Sequence, residues 1–280
     1  MPSTLITPEQ LASQLDTCVV IDCRFSLADT GYGRRVYAVG HIPGARYAHL
    51  DDDLSSPKSA STGRHPLPEL ARLCRQLGDW GITPATQVVV YDDSFGSMAV
   101  RLWWLLRGLG HQKVALLDGN FPRWAREKHP VTADLPVVTP VTYPIPASVD
   151  WGVDANAVEA IRTSPAHKLI DARPEMRFSG EVEKIDPVAG HIPGAINWVY
   201  EENLDLDGTY LPADELRAAY TQLLGEVAPQ NVVHTCGSGV TACHNVLAME
   251  IAGLPGSRLY PGSWSEWITD PSRPVATGDA

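Results

Sequence analysis

The sequence predicts an α/β protein of two tandem domains, each a mostly parallel β-sheet flanked by helices. Two observations carry this. The 280-residue chain shows the same landmarks twice in the same order, and within each half short β-branched runs alternate with helical stripes. A chain of this length also suits two domains of common size, each able to bury its own core.

In the first half, Val19-Val20-Ile21 reads as a buried strand that ends in Asp22-Cys23-Arg24. The turn Gly40-His41-Ile42-Pro43-Gly44-Ala45 follows. Leu70, Leu73, Cys74 and Leu77 fall at i, i+3, i+4 and i+7, the apolar stripe of a helix. Val88-Val89-Val90 and Val114-Ala115-Leu116-Leu117 are further buried strands, and Asp118 to Trp124 closes the half. A proline-spaced stretch from Pro136 to Pro146 then favours an extended linker. The domains are therefore set at 1–140 and 148–280.

The second half repeats the order. Leu169-Ile170 leads into Asp171-Ala172-Arg173, Gly190-His191-Ile192-Pro193-Gly194-Ala195 repeats the turn, and Leu216, Ala219, Tyr220 and Leu223 form the stripe. Val232-Val233 answers Val88 to Val90, and Pro261 to Trp267 answers Asp118 to Trp124. His41 and His191 occupy the repeated turn in both halves, which favours a structural job.

After the strand at Val232-Val233-His234-Thr235 comes Cys236, then a small-residue loop, Gly237-Ser238-Gly239-Val240-Thr241, that runs into a helical pattern. A strand, a tight glycine-bearing loop and a helix start aim backbone amides at one point. A cysteine there is expected to have a depressed pKa and to act as a nucleophile. Parallel sheets place ligand sites at the carboxyl ends of their strands, where this cysteine falls. Counting back from the matched tryptophans sets Asp93 opposite Cys236, so the first domain is expected to be catalytically inactive.

Composition narrows the partners. The net charge of −11 argues against nucleic acid or an anionic membrane surface. No stretch is apolar enough to span a bilayer, and the first residues lack the pattern of a signal peptide. Five cysteines without a CxxC pair fit the reducing cytoplasm and disfavour a disulfide oxidoreductase. The nine histidines show no metal-ligand spacing, so no metal and no cofactor is expected.

These motifs together resemble the two-domain rhodanese-type sulfurtransferases, and the loop Cys236 to Thr241 is similar to that of 3-mercaptopyruvate sulfurtransferases. The resemblance implies tandem rhodanese-like domains, an inactive first copy and a persulfide on Cys236. It implies Ser238, His65 and Asp51 as a proton relay, and Arg177, with Lys184 near a second cationic position, as the binders of the substrate carboxylate. The loop residues Gly237, Gly239, Val240 and Thr241 complete the substrate site. Cysteine-dependent phosphatases share such a loop but need an arginine six positions after the cysteine, where this chain has Ala242.

The reaction implied moves sulfane sulfur from 3-mercaptopyruvate through Cys236 to a thiol acceptor such as thioredoxin or glutathione, or to cyanide, and releases pyruvate. Thiosulfate as donor is the nearest alternative because the persulfide intermediate is shared, although thiosulfate-preferring rhodaneses carry basic side chains directly after the cysteine, where this loop has Gly237 and Ser238. A non-catalytic persulfide carrier is the alternative from another class.

Overall fold

The computed structural model describes residues 4–278. The chain divides into two compact units, one formed by 1–56, 67–150 and 207–209, the other by 57–66, 151–206 and 210–280. This differs from a cut at 140–148 in two places. Residues 57–66 cluster with the second unit although they precede the linker, and 207–209 cluster with the first. Proximity in space decides membership, and it places Arg64 and His65 in the same unit as Cys236.

The first unit contains β1 (Leu5–Ile6), α1 (Pro8–Ala12), β2 (Cys18–Asp22), α2 (Tyr32–Val39) and β3 (Arg46–Tyr47), then α3 (Leu70–Asp79), β4 (Gln87–Tyr91), α4 (Ala99–Gly108), β5 (Val114–Leu117) and α5 (Asn120–Arg126). Its sheet runs β1-β5-β4-β2-β3 and every pairing is parallel. Strands covered on both faces read as continuous β-branched runs, which is why Val88, Val89 and Val90 are all fully buried. The stripe of α3 buries Leu73, Cys74 and Leu77 as its spacing requires.

The second unit contains α6 (Ala155–Ile161), β6 (Lys168–Asp171), α7 (Glu175–Phe178), β7 (Ala195–Asn197), α8 (Ala213–Leu224), β8 (Val232–Thr235), α9 (Ala242–Ile251), β9 (Arg258–Leu259) and α10 (Ser263–Trp267). Its parallel sheet runs β7-β6-β8-β9, the order of the first sheet without its β1 edge. On α8 the buried residues are Leu216, Tyr220 and Leu224, with Leu223 half-buried, so the core face lies one residue further on than the sequence stripe. Ala155, Val158, Leu169, Val233, Trp264 and Trp267 belong to the core on one side of this sheet. Helix α9 is buried from Ala242 to Met249, a rigid mount for the loop before it.

The repeated motifs have a shared structural use. Arg24 forks onto Asp22 and donates from Nη2 to the Gly40 carbonyl at 2.7 Å; Arg173 forks onto Asp171 and donates from Nη2 to the Gly190 carbonyl at 2.8 Å. Both pairs are buried, where removing one partner strands the other charge. His41 stacks on Tyr37 and His191 on Phe178, with centroids 4.0 and 3.8 Å apart.

Backbone hydrogen bonds also fix how the two nucleophile loops correspond. Tyr91 accepts from the Cys23 amide and Thr235 from the Ala172 amide; Asp92 accepts from the Phe121 amide and Cys236 from the Trp264 amide. The Asp92 amide donates to the Asn120 side chain at 3.0 Å and the Cys236 amide to the Ser263 hydroxyl at 3.1 Å. The residue opposite Cys236 is therefore Asp92 and not Asp93. The first loop, Asp92–Met98, is one residue longer than the second, Cys236–Thr241, so counting back from the tryptophans slips the register by one.

Candidate active site

Cys236 follows the last residue of β8, a central strand of its sheet, and is 1% exposed. The start of α10 anchors it: Ser263 accepts from its amide, and Trp264 and Ser265 donate their amides to the carbonyls of Cys236 and Gly237 at 3.0 and 2.9 Å. At Gly239, φ is +72° and a Cβ would stand 2.1 Å from the Pro261 carbonyl oxygen, so only glycine closes this turn. From beneath, the Cys243 thiol donates to the Gly239 carbonyl at 3.5 Å, which gives that buried cysteine a packing job.

The first unit shows what the loop geometry is built to receive. Asp92 is fully buried, and its carboxylate accepts the amides of Ser94 and Gly96 on one oxygen and of Met98 and Ala99 on the other, at 2.8 to 2.9 Å. Burial pushes its pKa above the ordinary aspartate value, and the four amides pull it back. In the second unit the position of that carboxylate belongs to a cysteine. Among the described residues the amides of Ser238, Val240 and Thr241 donate to no oxygen or nitrogen of the protein. The loop then feeds the N-terminus of the ten-residue α9, whose dipole favours negative charge.

Around the loop stand three of the side chains that sequence reasoning named, together with others that it missed. His65 and Ser238 are 3% and 5% exposed, and His65 Nδ1 lies 2.7 Å from the Ser238 hydroxyl. The 57–66 segment is held in place by the Arg64 amide, which donates to the Ser265 hydroxyl at 2.9 Å. Arg177, on α7, and Arg64 both reach Gly237: a Cβ there would lie 2.9 Å from Arg64 Nη2 and 3.6 Å from Arg177 Nη1. A side chain at this position would displace a guanidinium, so Gly237 keeps the approach to the cysteine open to cations.

Arg64 went unread in the sequence. Its signal was adjacency to His65 in Gly63-Arg64-His65-Pro66, together with the need for a second cation that had no clear owner. Lys184, expected near that position, is exposed and takes no part in this cluster among the described residues. Val240 is buried in the loop and Thr241 is the residue before α9. Asp51, expected as the relay's acid, is a half-buried turn residue of the first unit. Its turn is closed by the His49 amide, which donates to Asp53 at 2.7 Å.

Two carboxylates hold the arginines. Glu183 takes Arg177 in a fork, with Nε to Oε2 at 3.1 Å and Nη2 to Oε2 at 2.9 Å, and Asp186 lies 2.6 Å from Arg64 and 2.9 Å from Arg177. Burial alone would raise the Glu183 pKa, but the Asp186 amide, the Arg177 guanidinium and the Ile185 amide outweigh it and hold it below the ordinary value. Burial raises the thiols of Cys18, Cys23 and Cys74, Cys18 to about 11. Among the described residues no three His, Cys, Asp or Glu side chains are grouped to hold a metal ion, and no helix is long and apolar enough to cross a membrane.

The site therefore presents a buried sulfur at a strand end, at the head of a loop that leads into a helix N-terminus. The same loop carries a hydroxyl–imidazole pair at Ser238 and two guanidiniums at Gly237. Such a set can stabilise an anion on sulfur, hold an anionic substrate and move a proton.

Comparison with known proteins agrees with this chemistry. The family model described as "Rhodanese-like domain" matches residues 7–127 and again 154–270. A protein of Pseudomonas aeruginosa named "Probable 3-mercaptopyruvate sulfurtransferase" is 48% identical over 279 residues, covering 98% of each chain. The mouse protein named "Thiosulfate sulfurtransferase" is 34% identical over 256 residues, covering 89% of this chain and 84% of the other. The solved structure of 3-mercaptopyruvate sulfurtransferase from Leishmania major superposes with a TM-score of 0.84 at 30% identity, covering 95% of this chain and 75% of that one.

Proposed function

The chain belongs to the rhodanese-like domain family, carrying the domain twice, and from this premise we propose that it is a sulfurtransferase that takes sulfane sulfur from 3-mercaptopyruvate. The Cys236 thiolate attacks the substrate sulfur. The S–S bond forms as the C–S bond breaks, and the electron pair leaves on carbon as the enolate of pyruvate. The thiol proton of the substrate is carried to that carbon, so one thiolate and one mercaptopyruvate give one persulfide anion and one pyruvate. The outer sulfur then passes to a thiolate such as that of glutathione or thioredoxin, or to cyanide, and Cys236 is regenerated.

In this reading the amides of Ser238, Val240 and Thr241 and the N-terminus of α9 carry the charge on sulfur, first as thiolate and then as persulfide. Arg177 and Arg64 bind the carboxylate, each as a planar fork that a lysine does not supply. Ser238 and His65 relay the proton, and the family resemblance supplies Asp51 as the relay's acid. Gly237 and Gly239 shape the loop. Arg64 takes the second cationic position near which Lys184 was expected.

The observation that carries the choice of donor is the 2.7 Å contact between His65 and Ser238. Cleaving mercaptopyruvate leaves a carbanion that must be protonated, whereas cleaving thiosulfate breaks an S–S bond and leaves sulfite, with no carbon to protonate. A buried proton-moving pair beside the sulfur supports the first. Steady-state turnover with each donor, cyanide and glutathione being the acceptors, tests it: pyruvate release with a higher kcat/KM for mercaptopyruvate is expected, and a strong preference for thiosulfate overturns the assignment. A carrier that only accepts sulfur from another protein's persulfide would turn over neither donor. All five cysteines are free thiols, in keeping with the reducing cytoplasm as the place of action.

A further inference from the structure

Two guanidiniums set side by side repel one another unless something between them takes up the charge. At this loop that group is Asp186. One carboxylate oxygen lies 2.6 Å from Arg64 Nη1 and the other 2.9 Å from Arg177 Nη2, and its side chain is 3% exposed. Its own placement is fixed in turn, because its amide donates to Glu183 Oε1 at 3.0 Å and the Ile185 amide donates to the same oxygen at 2.7 Å. Arg64 turns Nη2 toward Gly237 while its Nη1 takes Asp186, and Arg177 keeps its Nη1 toward Gly237 off Asp186, its Nη2 serving both directions.

The charges around the loop also cancel. Arg64 and Arg177 face Asp186 and Glu183, two of each sign. The next cation, Arg173, has its Nη1 4.0 Å from Glu183 but is already paired with Asp171. The site offers directed N–H donors with little net positive charge, an arrangement that satisfies one carboxylate and does little for a second negative charge.

Building on the sulfurtransferase reading, we infer that Asp186 is a positioning residue that sets donor selectivity: it holds Arg64 and Arg177 at the spacing of one carboxylate and cancels the charge that would otherwise favour a dianion. Asp186→Asn keeps the shape, removes the charge and so raises the net charge of the loop by one. Asp186→Glu keeps the charge and alters the reach.

Calorimetric titration of the full chain with pyruvate, a monoanion, and sulfate, a dianion, separates the two effects. For Asp186→Asn the affinity ratio is expected to shift about tenfold toward sulfate, the scale of one added charge at a partly screened site. In Asp186→Glu both affinities fall while the ratio stays within about twofold of wild type, since only geometry has changed. In turnover, Asp186→Asn raises KM for mercaptopyruvate with kcat within about threefold, the sign of lost binding with the chemistry intact. An unchanged ratio in Asp186→Asn overturns the inference, as does wild-type protein that binds neither anion. Should Asp186→Asn fail to fold, Arg64→Gln breaks the same bridge from the other side, and there the ratio must shift away from sulfate. Wild-type protein that binds both anions yet gains no sulfur on Cys236 refutes the sulfurtransferase reading and leaves the selectivity of the clamp standing.

Discussion

Replacing Asp92 by asparagine should unfold the first unit at markedly lower denaturant. The wild-type carboxylate takes four amides, those of Ser94 and Gly96 on one oxygen and of Met98 and Ala99 on the other. Asparagine keeps one oxygen and sets an NH2 group against the other two amides, donor facing donor. Two charge-assisted bonds are lost, each worth about 1.5–3 kcal/mol, and buried donors are left unmet. The expected cost is therefore about 3–6 kcal/mol, a large share of the roughly 5–15 kcal/mol that holds a domain together. Urea unfolding followed by tryptophan fluorescence reads this directly, and hydrogen exchange of the peptide covering Asp92 to Ala99 localises it. The comparison variant is Asp93→Asn, whose side chain accepts one hydrogen bond, from Tyr32 at 2.6 Å, and which should cost about 1 kcal/mol. Equal effects of the two variants, or a loss under about 1 kcal/mol for Asp92→Asn, would refute both the register of the repeat and the view of this loop as an anion cradle filled by its own carboxylate.

Ser238→Ala should lower kcat with mercaptopyruvate by about 10²-fold or more while changing thiosulfate turnover little, and Asp51→Asn should follow the same split; a uniform loss with both donors would remove the relay. Gly239→Ala forces a Cβ to 2.1 Å from the Pro261 oxygen at φ +72°, so it should cost about 2 kcal/mol or more in thermal unfolding and slow alkylation of Cys236, and a neutral result would contradict the loop geometry. His234 is fully buried on β8, and burial depresses its pKa to about 3. Its unfolded state binds a proton near pH 6.5 and its folded state does not, so its contribution to stability is present above pH 6.5 and is lost as pH falls toward 3, by about 1.4 kcal/mol per pH unit. His234→Leu should flatten the stability profile between pH 6.5 and 4.5, and an unchanged slope would show that another group governs it.

Much of the architecture was legible because the repeat is carried by residues with local jobs. Asp22 and Asp171 each take an arginine two residues on, and that arginine reaches the glycine of a Gly-His-Ile-Pro-Gly turn, so the motif survives intact in both halves. The strands were legible from β-branched runs because both faces of a parallel sheet are covered. Ser238 and His65 came from the resemblance, and the structure brings them within hydrogen-bond reach. What escaped depends on contacts between segments far apart in the chain. Arg64 and Asp186 meet across 122 positions, and no period or spacing links them. The slip from Asp92 to Asp93 has a local cause, one extra residue in the first loop, where Phe95 and Gly96 both adopt positive φ and the second loop has Gly239 alone. Counting along a sequence does not register such an insertion, whereas the paired amides do.

The most direct test of the account is intact-protein mass spectrometry after brief exposure to 3-mercaptopyruvate, followed by peptide mapping. A gain of one sulfur on Cys236, absent in Cys236→Ser and discharged by cyanide or glutathione, is the expected result. No gain, or a gain mapped to Cys18, Cys23, Cys74 or Cys243, would contradict it.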